Sequence, residues 1–236
     1  MYFMAHRGYS GFYPENTKIA FEKSIQEGYD FLELDVRLSK DGIPVIIHDA
    51  TINRTSNGGK QFVHDLTLEE LKSYDYGSWF AEEFAGETIL TLEELFQLVE
   101  GEEIKLNVEL KNGPIIPEDL EEKVLELVNK YNLGDRILFS SFDHRSMERL
   151  YKLDNTIKAG LVFHVNLIDM YNYIDSLDMK VYSVHPNYFY ITEEMVKEAH
   201  KRGIKVNAYT VDDIDLAKDL KKMNIDGLIT NKLSKV

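Results

Sequence analysis

Apolar positions along this chain switch repeatedly between a strand-like period of two and a helical period. The run Tyr2-Phe3-Met4-Ala5 is β-type and delivers His6-Arg7-Gly8. From Thr17 to Glu27 the spacing becomes helical, with Ile19, Ala20, Phe21 and Ile25 near one face and Gly28 just past the end. Strands are predicted near 31–37 and 43–48, separated by the turn Lys40-Asp41-Gly42. Residues 49–90 break the rhythm with Asn57-Gly58-Gly59, a short helix opened by Thr67-x-x-Glu70, and an aromatic stretch through Tyr74, Tyr76, Trp79, Phe80 and Phe84. An excursion of that length between elements reads as a functional insertion. Thr91-x-x-Glu94 is a second capping box, opening a helix to about residue 100.

Beyond it the alternation is regular. Strands are predicted near 105–110, 137–141, 158–163, 180–185 and 205–210, with helices near 118–131, 143–153, 167–176, 192–202 and 213–223. A last short run is Gly227-Leu228-Ile229-Thr230, and Gly134 and Gly203 sit where helix C-caps belong. Strand and helix in alternation argue for a parallel sheet, and the count favours an α/β fold of the irregular (β/α)8, TIM-type barrel kind. The expected organisation is one catalytic barrel domain over 1–236, with a small insertion after the third strand at about 49–90. Nine strand segments compete for eight barrel places. The 31–37 and 43–48 segments are joined too tightly for an ordinary parallel crossover, so a hairpin that makes the barrel irregular there stands beside two parallel barrel strands as the open alternatives. A hairpin centred on Asp41 sets His48 across from Leu34, beside Glu33 and Asp35.

Composition narrows the classes. A chain of 236 residues with 44% apolar positions supports a large core. The net charge of −14 argues against a nucleic-acid partner or an anionic membrane surface, both of which want basic patches. Zero cysteines excludes disulfides and thiolate chemistry and fits a reducing compartment. The N-terminal residues lack the pattern of a signal peptide, and no apolar run approaches the ~20 residues needed to span a bilayer. The expectation is a soluble, cytoplasmic protein without a stable membrane anchor.

Three strand-like runs carry charge on one face or at their end, the third being Pro44-Val45-Ile46-Ile47, which ends on His48-Asp49. Glu33 and Asp35 share a face in Leu32-Glu33-Leu34-Asp35-Val36, as do Asn107, Glu109 and Lys111 in the run from Leu106 to Lys111. Three carboxylates within ~5 Å of one another repel by roughly 3 kcal/mol per pair at an effective dielectric near 20. A hard divalent cation removes that penalty, and oxygen-only ligands favour Mg²⁺ or Ca²⁺. His6 and His48, at strand ends, suit acid/base work near neutral pH. Arg7 and Lys111 supply positive charge for a phosphate group. The remaining histidines, His64, His144, His164, His185 and His200, read as surface or packing residues, with His185 standing at a strand end.

Taken in order, His6-Arg7-Gly8, Pro14-Glu15-Asn16-Thr17, Glu33-x-Asp35-Val36, Lys40-Asp41-Gly42 and His48-Asp49 resemble the glycerophosphodiester phosphodiesterase family. So do Asn53-Arg54-Thr55, Asp65-x-Thr67, Glu69-x-Leu71, Val108-Glu109-Leu110-Lys111 and Gly203-Ile204-x-Val206, in the family's order from residue 6 to about 230. The resemblance implies an irregular barrel that hydrolyses small glycerophosphodiesters to sn-glycerol 3-phosphate and an alcohol. It implies His6 and His48 as the acid/base pair, Glu33, Asp35 and Glu109 as metal ligands, and Arg7 and Lys111 on the phosphate. It further implies that the 49–90 insertion lies over the mouth, where its aromatics shape access. Tyr209 stands where the family usually has tryptophan, presenting a ring and an added hydroxyl to the glycerol side. The end, Thr230-Asn231-Lys232-Leu233, lacks a proline often seen there. A related barrel phospholipase acting on lysophospholipid or phosphoinositide headgroups is the alternative enzyme, and a binding protein on a degenerate barrel is the alternative outside enzymes. The latter would normally have lost one of the charged site residues, all of which are present.

Overall fold

A computed structural model describes residues 1–117 and 119–235 of the chain. The strands are β1 (Tyr2–His6), β2 (Phe31–Leu38), β3 (Pro44–Ile46), β4 (Lys105–Leu110), β5 (Ile137–Ser141), β6 (Ala159–Phe163), β7 (Val181–Pro186), β8 (Lys205–Ala208) and β9 (Gly227–Thr230). The helices are α1 (Lys18–Gln26), α2 (Leu68–Lys72), α3 (Leu92–Leu98), α4 (Leu120–Lys130), α5 (His144–Leu153), α6 (Met170–Asp175), α7 (Glu193–Lys201) and α8 (Ile214–Lys222). Parallel neighbours run β1-β2-β4-β5-β6-β7-β8-β9, and β9 pairs back onto β1. Among the described residues eight parallel strands therefore close into a barrel.

The ninth strand resolves the count. β3 pairs antiparallel with β2 through Val36↔Ile46, Arg37↔Val45 and Leu38↔Pro44. That is the hairpin about Asp41, so β3 stands outside the barrel ring. Continued by two residues, the same register sets His48 opposite Leu34.

Alternation along the strands divides two environments. Leu32, Leu34 and Val36 of β2, with Leu106, Val108 and Leu110 of β4, join the main apolar core together with Phe21 of α1 and Phe96 of α3. The alternate positions point the other way. Met4, Leu138 and Ile229 form a small separate cluster, and Glu33, Asp35, Asn107, Glu109, Ser140, His185 and Asn207 are buried polar residues.

Local chemistry explains most element ends. Both capping boxes form: Thr67 and Thr91 accept from the amides of Glu70 and Glu94, whose carboxylates reach back to the cap amides. Gly28 and Gly203 follow α1 and α7 with φ of +76° and +70°, the left-handed conformation a helix stop needs. After α4 that role falls to Asn132, with φ +53°, and Gly134 instead opens a short 3-10 turn. α6 begins at Met170, later than expected, and the expected start of α4 at Glu118 lies outside the described residues.

The 49–90 segment carries its own small core, in which Ile52, Val63, Leu71, Tyr76 and Ile89 pack with Val45 and Ile47. Asp75 ties the segment by accepting from the amides of Gly77, Ser78 and Gly86. Phe84 packs edge-on against Tyr13 and against Phe80, which in turn meets Trp79. These rings meet one another and Tyr13 edge-on, and none of them lines the cleft described next. Phe84 is engaged by Tyr13 and Phe80, while Trp79 and Phe80 stay partly exposed, at 38% and 36%, so the insertion's aromatics are not part of the cleft lining itself. No helix among the described residues is long and apolar enough to cross a membrane.

Candidate active site

At the C-terminal ends of the barrel strands lies a cleft of about 150 Å³. One half is lined by His6, Arg7, Glu33, His48, Glu109 and Lys111, the other by Phe142, Val162, His185, Tyr209, Thr210 and Ile229. Every residue singled out from the sequence except Asp35 lines this cleft, and Asp35 is buried directly beneath, bonded to the same groups.

Strand register brings the acids together. His6 pairs with Glu33 between β1 and β2, and Asp35 pairs with Glu109 between β2 and β4. Each of Glu33, Asp35 and Glu109 offers a carboxylate oxygen within 4.8 Å of the others, and all three are buried. Their surroundings supply too little positive charge to balance them. Arg7 Nε lies 3.4 Å from Asp35, and Lys111 Nζ lies 3.0 Å from Asp35 and closer still to Glu109. Two cations thus face three carboxylates.

The titration behaviour follows from this imbalance. Burial, then Asp35 and Glu109, push the Glu33 carboxyl well above the usual carboxylate range. Glu109 is also raised, by burial and by Asp35, although Lys111 opposes the change. Burial alone would raise Asp35, but Lys111, Arg7 and His48 outweigh it and hold it far below its ordinary value. Burial works to discharge Lys111, and Asp35 and Glu109 overcome it, so the ammonium stays charged. Three hard oxygen donors, buried together and under-neutralised, fit a divalent cation of the Mg²⁺ or Ca²⁺ kind.

Backbone shape helps to fill the same space. Arg7 has φ +57°, which turns its amide to donate to Glu33 Oε2 at 2.8 Å while its guanidinium reaches Glu15 at 2.9 Å. Asn16, with φ +58°, donates from Nδ2 to Asp35 at 2.9 Å. Arg54 from the insertion grips Glu15 through two hydrogen bonds, at 2.7 and 2.8 Å, and donates from Nε to Asp49 at 2.7 Å. The insertion therefore meets the cleft through Asp49 and Arg54.

Both histidines have one ring nitrogen anchored. His48 Nδ1 lies 2.7 Å from Asp49 Oδ1, a carboxylate that can only accept, so the proton is on Nδ1. His6 Nδ1 lies 2.7 Å from Asn231 Oδ1. The Asn231 amide is oriented by Asp212, which accepts from its backbone N–H at 2.7 Å and from Nδ2 at 2.6 Å. His6 Nδ1 must then donate, and Nε2 keeps its lone pair. Burial and the adjacent Arg7 lower His6 to about 4, so the ring is neutral near pH 7. Burial also lowers His48, against the pull of Asp35 and Asp49.

Sequence reasoning did not assign Asn231, Asp212, Asp49, Glu15 or Arg54 any part in the site, nor Phe142. Glu15, Asp49 and Arg54 stood inside the matched motifs, which was the available signal. Asn231 and Asp212 reach His6 only through barrel closure. Tyr209 lines the cleft, but its hydroxyl donates to Phe163 O at 2.9 Å and its ring meets Phe142 edge-on. His144, His164 and His200 lie away from the cleft: His144 packs on Tyr173 and Phe163, and His200 pairs with Asp226. His185, expected as a packing residue, is on the cleft floor.

Comparison with known proteins is consistent along the whole length. Residues 6–235 match the family described as the glycerophosphoryl diester phosphodiesterase family. A glycerophosphodiester phosphodiesterase of Caldanaerobacter subterraneus subsp. tengcongensis is 41% identical over 228 residues, covering 97% of this chain and 93% of that protein. Among solved structures, a phosphodiesterase of Oleispira antarctica in complex with the product sn-glycerol-3-phosphate is 32% identical. It superposes with a TM-score of 0.88, over 98% of this chain and 93% of that one. A glycerophosphodiester phosphodiesterase of Thermotoga maritima is 31% identical with a TM-score of 0.80, covering 98% and 95%.

Proposed function

The chain belongs to the glycerophosphoryl diester phosphodiesterase family, and from that premise we propose that it cleaves small glycerophosphodiesters to sn-glycerol 3-phosphate and an alcohol by metal-assisted, two-histidine catalysis. As a glycerophosphodiester phosphodiesterase it is a phosphoric diester hydrolase. The observation that carries the finer reading is the cleft's divided charge: two buried acids, two cations and two anchored imidazoles share one wall, with the third acid, Asp35, directly beneath. The product named in the Oleispira antarctica structure is the one this reading assigns here.

Glu33, Asp35 and Glu109 would hold Mg²⁺ or Ca²⁺. Such an ion, when bound, polarises a phosphoryl oxygen and lowers the pKa of a bound hydroxyl. Arg7 and Lys111 bind the phosphate oxygens and orient the diester. His6 Nε2 takes the proton of the glycerol 2-hydroxyl as its oxygen forms a bond to phosphorus. The phosphorus–alcohol bond breaks, and protonated His48, steadied by Asp49, gives its Nε2 proton to the departing alcohol oxygen. In the second step the roles reverse. His48 takes a proton from the attacking water, and His6 returns its proton to the 2-oxygen as the cyclic phosphate opens. Tyr209 and Phe142 wall the glycerol side and exclude water.

Release of sn-glycerol 3-phosphate, followed with its dehydrogenase over a panel of choline, ethanolamine and glycerol diesters, tests the proposal. Folded protein that releases none from any diester, with either ion, refutes it.

A second reading has one observation in its favour. An apolar cavity of about 550 Å³, lined by Val165, Leu167 and Ile168 among others, adjoins the cleft through Phe142 and Val162, which line both. It suits a leaving alcohol with an apolar chain, as in a lysophospholipid. Faster turnover of lysophosphatidylcholine than of glycerophosphocholine would support that reading.

A further inference from the structure

Exposed apolar side chains gather on one side of the cleft mouth. Phe142 follows β5, Val165, Leu167 and Ile168 follow β6, and Phe189 and Tyr190 follow β7; all six are exposed. β5, β6 and β7 are neighbours in the barrel, and each of these side chains lies just past a strand's C-terminal end. Three adjacent loops therefore present them at the rim of the cleft. Ile168 is 100% exposed and Phe189 is 72% exposed. Apolar side chains scattered singly over a surface need no reason, but a contiguous set beside a site marks a surface that something covers.

Two cavities make the set continuous. Phe142 joins Val165, Leu167 and Ile168 around the 550 Å³ cavity that adjoins the cleft. On the other side of the β6 loop, Val165, Leu167, Ile168 and Tyr190 line a second cavity of about 290 Å³. The β7 loop holds its aromatics outward by its own bonds. Asn187 Oδ1 accepts from the Phe189 amide at 3.1 Å, and the Tyr190 amide donates to Asn187 O at 3.0 Å. The Tyr188 amide donates to Tyr209 O at 3.0 Å, and the Tyr188 ring packs on the main core. A braced turn thus keeps Phe189 in water.

Charge selects the occupant. The three loops, 142–143, 164–169 and 187–192, hold no lysine or arginine, and their only formal charges are Asp143 and Asp169. With a net charge of −14 the chain is repelled by an anionic bilayer, and nothing in these loops draws it in. A zwitterionic lipid surface asks for no basic residues and accepts apolar and aromatic side chains at its headgroup level. Position points the same way. A folded partner or a second copy seated on this rim would cap a cleft that has to admit a diester, whereas lipid headgroups are themselves phosphodiesters.

We propose that the β5, β6 and β7 loops dock this face reversibly on a zwitterionic lipid surface, with Ile168 and Phe189 entering the headgroup layer first. The cleft then opens along that surface, whichever alcohol the enzyme releases.

Sedimentation with phosphatidylcholine vesicles tests this without any turnover. Native protein should co-sediment, and Ile168→Ser combined with Phe189→Ser should bind at least ~10-fold more weakly, since each large apolar side chain leaving water contributes roughly a decade or more to partition. Adding phosphatidylglycerol to the vesicles at low salt should weaken native binding. Neither substituted side chain lines the cleft, so the double variant should turn over glycerophosphocholine like the native protein and unfold at the same temperature. Native protein that stays in the supernatant overturns the proposal, as does equal binding by the native protein and the double variant. Binding that strengthens with anionic lipid overturns the choice of a zwitterionic surface. A native dimer that the double variant splits, seen by analytical ultracentrifugation without lipid, gives the face to a second copy and overturns the proposal too. Failure to cleave any diester refutes the proposed function instead, and the vesicle result then still decides what this face does.

Discussion

Replacing Asn231 by alanine tests how the barrel aims its base. Asn231 Oδ1 is the acceptor for His6 Nδ1–H at 2.7 Å, and Asp212 locks the amide that offers it. Without that acceptor the imidazole is free to rotate and to exchange its proton between nitrogens, so Nε2 is a base only part of the time. The lost bond leaves an N–H that costs about 1–3 kcal/mol when unsatisfied. At about 1.36 kcal/mol per decade of rate this corresponds to a fall in kcat of roughly 5- to 160-fold. KM for the diester should change little, because Asn231 faces the base and not the phosphate-binding groups. Cation affinity should also hold, since Asn231 makes no hydrogen bond with Glu33, Asp35 or Glu109 among the described residues. Asp212→Asn should behave alike by releasing the amide to flip. Steady-state release of sn-glycerol 3-phosphate at several ion concentrations separates these quantities. A folded Asn231→Ala enzyme with kcat within twofold of the parent, or one whose whole loss lies in KM, would refute the reasoning.

Further outcomes follow from the same geometry. Excess EDTA should abolish turnover, with Mg²⁺ or Ca²⁺ restoring it; activity that survives chelation removes the cation from the mechanism. His6→Ala and His48→Ala should each cost at least ~10²-fold in turnover, and a lesser loss would move the acid/base work elsewhere. Glu33→Gln should shrink the rise in unfolding temperature that Mg²⁺ induces, read by calorimetry with and without the ion; an unchanged rise would exclude Glu33 as a ligand. Asp75 is held below its ordinary value, chiefly by its hydrogen bonds to Ser78 and to the amides of Ser78 and Gly86. Its folded pKa is depressed, so its stabilisation is fully present above about pH 3.9 and fades as pH falls further. The gap in unfolding temperature between the parent and Asp75→Ala should therefore narrow from pH 7 to pH 3, and a constant gap would contradict the sign.

What the sequence determined by itself was everything carried by local pattern. Period-two alternation put Glu33 with Asp35 and Asn107 with Glu109, because side chains two apart on a strand share a face whatever the strand pairs with. Capping boxes at Thr67 and Thr91 placed α2 and α3, since their bonds close within four residues. The short turn at Asp41 raised a β2–β3 hairpin without deciding it against two parallel strands, and the antiparallel register of the folded barrel settled it, with the position of His48. The fate of the insertion's aromatics was not legible: whether Trp79 or Phe84 turns to the cleft or to Tyr13 depends on packing that no local spacing encodes.

Tertiary structure alone decided which partners tune each group. His6 meets Asn231 across 225 residues, Tyr2 meets Asn207 across 205, and Arg54 meets Glu15 across 39. These contacts exist because β9 closes onto β1 and the hairpin returns the chain to its own start. Proton position on an imidazole is set by the hydrogen bond its other nitrogen makes, and closure of the barrel supplies that bond.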